Sequence, residues 1–462
     1  MANAFYHLHE YLRQDGTVSL IGVTADHFIF ESTDDGDSWT DISGDLSGLF
    51  STLELQFANL NGDLYIGVRG HRIHRYTTAL GSFTDIATSP ISSGSLISTF
   101  GRLWAGVDAS STIAYCGLLD GTDWVSTGAG NIDASNAWTG GFDRIEALAS
   151  FGATLCVFGR NHILLYVDGA GSELGVDPNN LYVVDTIEGT GTQHQDSVIT
   201  IGEGDLWFLG PQGVQSLNRV IQDKVNPLID VSKNQRSLVQ QYITQHTGNP
   251  ASVKAIYSAE NRFVLFLFPE SDAVLHYDTR FPLDDGTWRA STWSTNVPYT
   301  GAVVRRNGDL LFGGDCGNVL LYDQYKDDFG GTPVDITMTY ASPWLNFGQQ
   351  AHNKTKIIKE FYLRLNGSSA TSLSGTARWG VDFRPLEFDQ AWTSAYVPSG
   401  AEFGIAEWGN TNFANGLRLR QVDIAGKGEG QVVQFFTTLV SSENELVQIQ
   451  EVGVRTKLGA DE

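Results

Sequence analysis

The hydrophobic pattern of the chain predicts short strands that alternate with glycine turns. Four segments run from glycine through a polar residue and leucine to aromatic or apolar residues and glycine: GDLYIG (62–67), GRLWAG (101–106), GDLWFLG (204–210) and GDLLFGG (308–314). A second strand-like segment follows each of them: HRIHRY (71–76), STIAY (111–115), GVQSL (213–217) and GNVLLY (317–322). Short apolar runs bounded by turn residues are typical of buried strands, so each pair predicts one β-hairpin.

A second motif repeats in step with these hairpins. SWTDI (38–42) recurs as SFTDI (82–86) and as DWVST (123–127), and TWRAS (287–291) is a later member. The aromatic residues Trp39, Phe83 and Trp124 are 44 and 41 positions apart. An all-β repeat of about 40–50 residues is typical of propeller blades. We therefore predict a β-propeller over residues 1–335, with six blades as the first expectation and seven as the alternative.

One segment departs from the strand pattern. LIDVSKNQRSLVQQYITQH (228–246) contains neither glycine nor proline, and it spaces apolar residues such as Val239 and Ile243 four apart. The stretch carries Ser232 as an N-cap candidate. The pattern predicts one inserted helix near residues 229–246, between blades or on the rim of the propeller.

The repeat stops after about residue 330 and a different β pattern begins. Longer alternating strands are predicted in three places: KIIKEFYLRLNG (356–367), QVVQFFTTLV (431–440) and LVQIQEVGVRTKLG (446–459). Alternation of apolar and polar residues suits sheets with one buried face. We predict a C-terminal β-sandwich-like domain over residues 336–462, so the fold class is all-β throughout.

The segment STDDGDSW (32–39) matches the Asp-box, a turn motif of sialidase-like and related propellers. Its pattern places Ser32, Asp34, Gly36 and Trp39 in register. A short carboxylate can accept backbone N–H groups within a turn, and glycine takes backbone angles that other residues resist. We interpret the motif as structural, because a calcium or sugar site would need more converging carboxylates than one turn supplies.

Composition limits the classes of function. The formal net charge is −24 over 462 residues, which disfavours duplex binding because such binding depends on lysine and arginine. Cys116, Cys156 and Cys316 are too far apart for a disulfide framework or a zinc site, and we expect them to be buried. We expect no secretory signal and no membrane insertion, since no basic region precedes an apolar run and no long apolar stretch occurs.

Candidate chemistry is sparse. His7 and His9 with Glu10 could bind a metal on one strand face, although a polar terminal strand is the favoured interpretation. A sialidase carries several Asp-boxes and an early Arg-Ile-Pro, whereas this chain has one clean Asp-box, and DRIEAL (143–148) is its nearest string. We predict no enzyme activity, no catalytic residues, no metal and no cofactor. The alternative left open is a carbohydrate-binding or sialidase-like propeller that acts on host-surface glycans.

The order of segments in the middle of the chain resembles one protein family. These segments are RIEALASFGATLCVFGRNHILLYVDGAG (144–171), IEGTGTQHQDSVITIGEGDLWFLGPQGVQSL (187–217) and NRFVLFLFPESDAVLHYDTRFPLDDGTWRASTW (261–293). Together they resemble the tail-nozzle proteins of short-tailed phages, also called packaged-DNA stabilization proteins or tail tubular protein B. Two C-terminal segments are similar to the same family: YASPWLNFGQQAHNKTKIIKEFYLRL (340–365) and IQEVGVRTKLG (449–459).

The resemblance implies a structural role in the virion tail. Nozzle proteins form a ring, here expected to be a homohexamer, that extends and gates the DNA exit channel below the portal and the adaptor. The implied partners are the adaptor or head-tail connector, tail fibre or needle proteins, and double-stranded DNA that passes without specific binding. The protein would be made in the host cytoplasm and assembled into the particle. No catalytic residues transfer from this family.

Overall fold

The computed structural model divides into two compact units, Met1–Tyr322 and Asp323–Glu462. It describes residues 3–49, 51–138, 143–169, 177–202, 204–222, 231–284, 286–294, 297–314, 317–322, 328–329, 332–333, 335–346, 354–367, 373–384, 386–394, 418–441 and 447–458. The boundary lies earlier than position 335 predicted from the sequence, because the last strand of the repeats ends at Leu321.

The first unit contains seven antiparallel sheets within the described ranges. The first three consist of β1 (Phe5–Leu12), β2 (Val18–Thr24), β3 (Ile29–Ser32) and β4 (Thr40–Asp41); β5 (Leu55–Leu60), β6 (Asp63–Val68), β7 (Ile73–Tyr76) and β8 (Thr84–Asp85); and β9 (Ser92–Thr99), β10 (Arg102–Val107), β11 (Thr112–Tyr115) and β12 (Gly130–Asp133). The strands of each sheet pair in chain order, so every sheet is a meander.

The remaining four sheets follow the same order, and two of them are three-stranded. They consist of β13 (Ala147–Phe151), β14 (Thr154–Phe158), β15 (His162–Asp168) and β16 (Leu181–Glu188); β17 (Ile199–Ile201), β18 (Asp205–Gly210) and β19 (Gly213–Ser216); β20 (Lys254–Ser258), β21 (Phe263–Phe268), β22 (Ala273–Pro282) and β23 (Trp288–Trp293); and β24 (Tyr299–Val304), β25 (Leu310–Gly314) and β26 (Val319–Leu321). Short 3₁₀ turns lie at Gly44–Leu46, Pro178–Asn180, Gln195–Ser197, Lys233–Gln235, Pro250–Ser252 and Pro269–Ser271.

The seven sheets form a closed ring of blades. The first strand of each sheet contacts the first strand of the next, and β24 of the last blade returns to β1 of the first. The propeller fold is therefore confirmed, and the blade number is seven, the alternative, while the first expectation of six is wrong. Blades 5 and 7 have three strands and are short, so dividing the span by the length of a full blade underestimates their number.

Each gap between neighbouring blades holds its own hydrophobic core. The seven cores pair blades 1 and 2, 2 and 3, 3 and 4, 4 and 5, 5 and 6, 6 and 7, and finally 7 and 1. In β6, Leu64 and Ile66 belong to the core shared with blade 1, and Tyr65 between them belongs to the core shared with blade 3. Because side chains alternate along a strand, a strand between two blades needs apolar residues on both faces. This explains the unbroken apolar runs in the repeats.

Helices replace the fourth strand of blade 5. The predicted strand 213–217 ends at Ser216, and the chain continues as α1 (Leu217–Gln222), which the sequence pattern missed. The predicted helix 229–246 is shorter in the structure, where α2 spans Arg236–Gln245, and positions 229–230 lie outside the described residues. Ser232 lies at the N-cap position of the 3₁₀ turn Lys233–Gln235, not of α2, and makes no side-chain cap hydrogen bond; its Oγ accepts the backbone N–H of Val214 at 3.0 Å. Neither described α-helix is long and apolar enough to span a membrane.

The second unit is a sandwich of two antiparallel sheets. One sheet has the order β29 (Ile336–Ala341), β35 (Val433–Ser441), β31 (Leu373–Val381) and β32 (Phe388–Ser394). In the other, β30 (Lys356–Gly367) pairs with β33 (Arg418–Ala425), β34 (Glu429–Gly430) and β36 (Val447–Leu458), while β27 (Asp328–Phe329) and β28 (Thr332–Pro333) form a separate hairpin. Phe361 of one sheet stacks on Phe435 of the other with ring centroids 4.5 Å apart. The predicted C-terminal β domain is confirmed as a sandwich.

Candidate functional site: the axial cavity

A cavity of about 390 Å³ lies on the axis of the propeller. Every inner strand contributes to its wall, because the inner strands surround the axis. The wall includes Tyr6, His7 and His9 of β1, Gln56 of β5, Leu96 of β9, Leu148 of β13, Ile199 of β17, Lys254 of β20 and Ala302 of β24. Asp196, in the 3₁₀ turn before β17, also lines it. The cavity thus combines apolar walls with a few ionisable side chains.

Lys254 is the buried charge at the centre of this cavity, with only 6% of its surface exposed. Its ammonium group donates to the carboxylate of Asp196. The same Nζ lies 2.8 Å from Nε2 and 3.3 Å from Nδ1 of His7. Nε2 of His7 is also 2.9 Å from the carbonyl oxygen of Leu53. In either neutral tautomer one ring nitrogen of His7 is an acceptor for the ammonium group of Lys254.

Gln56 completes a set of four side chains, Lys254, Asp196, His7 and Gln56, that we call the axial network. Nε2 of Gln56 donates to Oδ1 of Asp196 at 3.2 Å, and Oε1 of Gln56 accepts the backbone N–H of Leu96 at 3.0 Å. These bonds join blades 1, 2, 3 and 6 to the turn that begins blade 5. The network crosses the axis, so it connects blades that are not neighbours in the ring.

Burial controls the protonation of the basic groups in the cavity. Burial and, to a smaller extent, the charge of Lys254 lower the pKa of His7 to about 4, and Asp196 opposes this shift. Burial also lowers the pKa of His9 to about 4. The pKa of Lys254 is lowered by burial as well, although Asp196 opposes this shift. At neutral pH both imidazoles are therefore neutral.

The residues considered for a metal are engaged separately. The ring of His9 stacks on Phe57 with centroids 5.2 Å apart, while His7 belongs to the axial network. Glu10 pairs with Arg305 at 3.6 Å and accepts the backbone N–H of Arg306 at 3.0 Å. Among the described residues, no group of three or more histidine, cysteine, aspartate or glutamate side chains is arranged to hold a metal ion.

A second charged cluster centres on the buried carboxylate of Glu146. Arg69 donates to it at 3.1 Å, Arg160 at 2.6 Å, and the guanidinium of Arg144 also donates to it. Arg69 is further paired with Glu54 at 2.5 Å. Sequence reasoning missed this convergence, because the three arginines come from different blades or connections and share no motif.

The Asp-box residues form a single turn between β3 and β4. Oδ1 of Asp34 accepts the N–H of Ser38 at 2.9 Å and the hydroxyl of Ser32 at 2.8 Å, and Oγ of Ser32 accepts the N–H of Gly36 at 2.8 Å. Gly36 has φ +103°, a left-handed value that favours glycine. The bonds from Ser38 and Ser32 lower the pKa of Asp34 to about 2. The described contacts of Asp34 are thus within its own turn.

Trp39 lies at the junction of the last and first blades. Its Nε1 donates to the carbonyl oxygen of Gly36 at 3.0 Å, and its half-buried ring packs on Phe5 with centroids 4.6 Å apart. It belongs to the edge of the core that joins blade 1 to Val303 and Leu311 of blade 7. The structure therefore places Trp39 at the edge of the core that closes the ring.

A related turn occurs in blade 3 and was not recognised as an Asp-box. Nε1 of Trp124 donates to the carbonyl oxygen of Gly121 at 2.9 Å, which is the bond and the three-residue spacing of Gly36 and Trp39. The carboxylate of Asp123 accepts the N–H of Ser126 at 3.0 Å. The recognisable sequence feature was the Gly-x-x-Trp spacing in GTDW (121–124).

Buried cysteines fit their expected role. Cys116 and Cys156 are free and buried, and burial raises the pKa of their thiols to about 11 and about 12. Cys316 lies outside the described residues. Neither described cysteine is a reactive thiolate at neutral pH.

Fold and site together define a seven-bladed β-propeller followed by a β-sandwich. No protein-family model matches the chain, and no curated protein matches it. Among solved structures, it is similar to the WD40 β-propeller domain of Doa1, at 12% identity over 70% of this chain and 93% of that chain, with a TM-score of 0.41. It is also similar to YCF48 from Cyanidioschyzon merolae, at 12% identity over 70% of this chain and 95% of that chain, with a TM-score of 0.41. The assignment to this class rests on the sheet order and ring closure of the chain itself.

Proposed function

We propose that the protein is a structural component of the tail nozzle of a short-tailed phage. In this role it forms a ring below the portal and adaptor, retains packaged DNA, and passes the DNA during ejection without acting as an enzyme. The observation that carries the proposal is the resemblance of 144–171, 187–217 and 261–293 to nozzle proteins, which now corresponds to the consecutive blades 4, 5 and 6. The three segments that resemble nozzle proteins therefore lie in one continuous part of the propeller.

The narrow axis of the propeller supports a channel built between protomers rather than through one protomer. The axial network crosses a cavity of only about 390 Å³. A B-DNA duplex, whose major groove alone is about 12 Å wide, does not fit such a space. A DNA conduit therefore needs several copies arranged around it, and closed rings form through heterologous contacts. We expect six copies in the particle.

The acidic composition also suits this role. At a formal net charge of −24, the protein repels DNA phosphates and offers them little nonspecific attraction. The same charge makes identical subunits repel one another in solution. We expect the isolated protein to be monomeric until an adaptor concentrates and orients it.

Three experiments test the proposal together. Mass photometry of the isolated protein should give a monomer, and electron cryomicroscopy of the particle should place six copies around the tail axis. Particles assembled without the protein should lose packaged DNA, and supplying the protein in trans should restore retention. A stable free dimer, or copies located away from the tail axis, would contradict the nozzle role.

One observation favours the alternative, a propeller that binds acidic glycans. Arg69, Arg144 and Arg160 converge on one carboxylate, and arginine is well suited to bind the carboxylate of an acidic sugar. Glu146 and Glu54 already accept hydrogen bonds from these arginines, which favours a structural role of the cluster over glycan binding. Binding to sialylated glycans that is lost in Arg160→Met, with the fold intact, would support the alternative; the nozzle role predicts no such binding.

A further inference from the structure

The axial cavity has the size of a small-molecule site. Its volume of about 390 Å³ lies within the range of roughly 300–1,000 Å³ that is typical of ligand pockets. Phe57, Leu96, Leu148 and Ile199 supply apolar wall, while the axial network supplies fixed polar groups. The network is held in place by bonds to backbone groups of blades 2 and 3, so it needs little rearrangement to meet a ligand.

Lys254 retains donor capacity toward the cavity. An ammonium group has three N–H donors, and the described contacts use two of them, one to Asp196 and one to His7. Tyr6 lines the same cavity and can supply a phenolic donor. The carboxylate of Asp196 is the single negative charge among the described residues that line the cavity, and it also accepts from Gln56.

The hydrogen-bonding capacity of the cavity favours an anionic group over a cation. Asp196 balances the charge of Lys254 and both imidazoles are neutral at neutral pH, so the third N–H of Lys254 is the donor left for a ligand. An anion next to Lys254 accepts this proton in a charge-assisted hydrogen bond, whereas the ammonium group repels a cation. The apolar walls suit a ligand whose remaining atoms are hydrocarbon.

We propose that the axial cavity binds a small monocarboxylate with an aliphatic or aromatic body, its carboxylate accepting the uncommitted proton of Lys254. The phenol of Tyr6 is a second donor toward the same carboxylate. This site does not depend on the nozzle role, because it rests on the geometry of a single protomer.

The test compares carboxylates with uncharged amides of the same shape. Titration calorimetry of the full chain with benzoate and hexanoate, beside benzamide and hexanamide, should show carboxylate binding that is at least about tenfold tighter. Equal affinity for acids and amides, or no binding of either, would overturn the proposal. Tighter binding of polyols such as glycerol would also overturn it.

Two single variants, their double variant and one control variant locate the site. Lys254→Met should weaken benzoate binding about tenfold or more, and Asp196→Asn should strengthen it because a competing anion is removed. Lys233→Met changes an exposed lysine and should leave the affinity unchanged. Since Lys254→Met leaves Asp196 buried without its cation, the double variant Lys254→Met/Asp196→Asn is measured as well, with near-UV circular dichroism to verify folding. Wild-type benzoate affinity in the double variant would refute the site.

Discussion

Lys254 and Asp196 form an ion pair whose contribution to stability depends on which partner is removed. Removing one partner of a buried pair leaves the other charge unpaired, at a cost of about 3–5 kcal/mol. Replacing both by apolar or neutral groups of similar size is often close to neutral. Lys254 is buried and the side chain of Asp196 is 16% exposed, so this asymmetry should be measurable.

We therefore predict that Asp196→Ala lowers the free energy of unfolding by about 3–5 kcal/mol. The double variant Lys254→Met/Asp196→Ala should recover much of this loss, because no charge remains buried. Guanidinium unfolding of the wild type, both single variants and the double variant gives the interaction energy directly. Additive losses in the double variant would show that the two side chains do not interact.

The histidines of the cavity predict a loss of stability in mild acid. The pKa of His7 and of His9 is about 4 in the folded protein, against an ordinary value of 6.5. Below pH 6.5 the unfolded chain binds protons that the folded protein binds only near pH 4, so folding becomes less favourable as pH falls through this window. Each histidine contributes up to about 1.4 kcal/mol of loss per pH unit.

Urea unfolding between about pH 7 and about pH 5 measures this slope. His7→Gln/His9→Gln should have a shallower slope than the wild type. His276, whose pKa burial also lowers to about 4, is present in both proteins and supplies part of the remaining slope. An unchanged slope in the double variant would contradict the assignment of neutral, buried imidazoles.

At the scale of elements, the Asp-box turn fastens blade 1 to blade 7. Trp39 packs on Phe5, Asp35 pairs with Arg305 of blade 7 at 2.7 Å, and Val319 of blade 7 lies beside Gly36. The hydrogen bonds of Asp34 fix the turn that presents these residues. The motif is therefore more than a local turn, since it closes the ring.

We predict that Trp39→Ala lowers the free energy of unfolding by about 2–3 kcal/mol, below the roughly 3–5 kcal/mol of a fully buried aromatic, because the ring is half-buried. Asp34→Ala should lower the thermal midpoint, because Ser32 and Ser38 lose their acceptor. Asp37→Ala is the matched control in the same turn, since Asp37 is exposed and makes none of these bonds. Equal effects of Asp34→Ala and Asp37→Ala would show that the motif bonds contribute nothing.

Helix α2 of blade 5 packs on the propeller through one apolar face. Val239 is fully buried and packs in the core between blades 5 and 6, whereas Gln241 is exposed. We predict a loss of roughly 2 kcal/mol for Val239→Ala and less than about 0.5 kcal/mol for Gln241→Ala, measured by chemical unfolding. A Val239→Ala protein as stable as the wild type would mean that α2 rests on the propeller without contributing to its core.

The repeated hairpins made the propeller predictable from the sequence, whereas the blade number, helix α1 and the axial network were not. The blade number failed because β17–β19 and β24–β26 are shorter than a full repeat. Helix α1 was missed because the pattern of GVQSL (213–217) predicts a strand through Leu217, which is the residue at which the helix begins. The axial network was missed because positions 7, 56, 196 and 254 converge only after the ring closes. Sequence spacing carries no information about such long-range convergence.

At the scale of the whole propeller, ring closure depends on contacts between chain segments far apart in sequence. Oγ1 of Thr300 in blade 7 donates to the carbonyl oxygen of Phe5 in blade 1 at 2.7 Å, and side chains of both blades share one core. That core has the fewest fully buried residues of the seven described cores. We therefore expect the ring to open most readily at the junction of blades 7 and 1.

We predict that hydrogen exchange under native conditions is faster in β1 and β24 than in β13 and β14, which lie within cores far from this junction. Trp39→Ala should accelerate exchange in β1 and β24 and leave β14 unchanged. Mass-spectrometric exchange on the full chain resolves these segments. Uniform acceleration across all blades would indicate that the ring opens only by global unfolding.

Seven similar blades present a partner with nearly equivalent sides. An assembly that has one fixed orientation therefore needs a blade that differs from the others. Among the described blades, blade 5 alone continues into helices, α1 and α2, instead of an outer strand. A neighbour that contacts this sector can dock in one rotational setting and not in the others. The helices of blade 5 then fix the rotational orientation of the propeller relative to that neighbour.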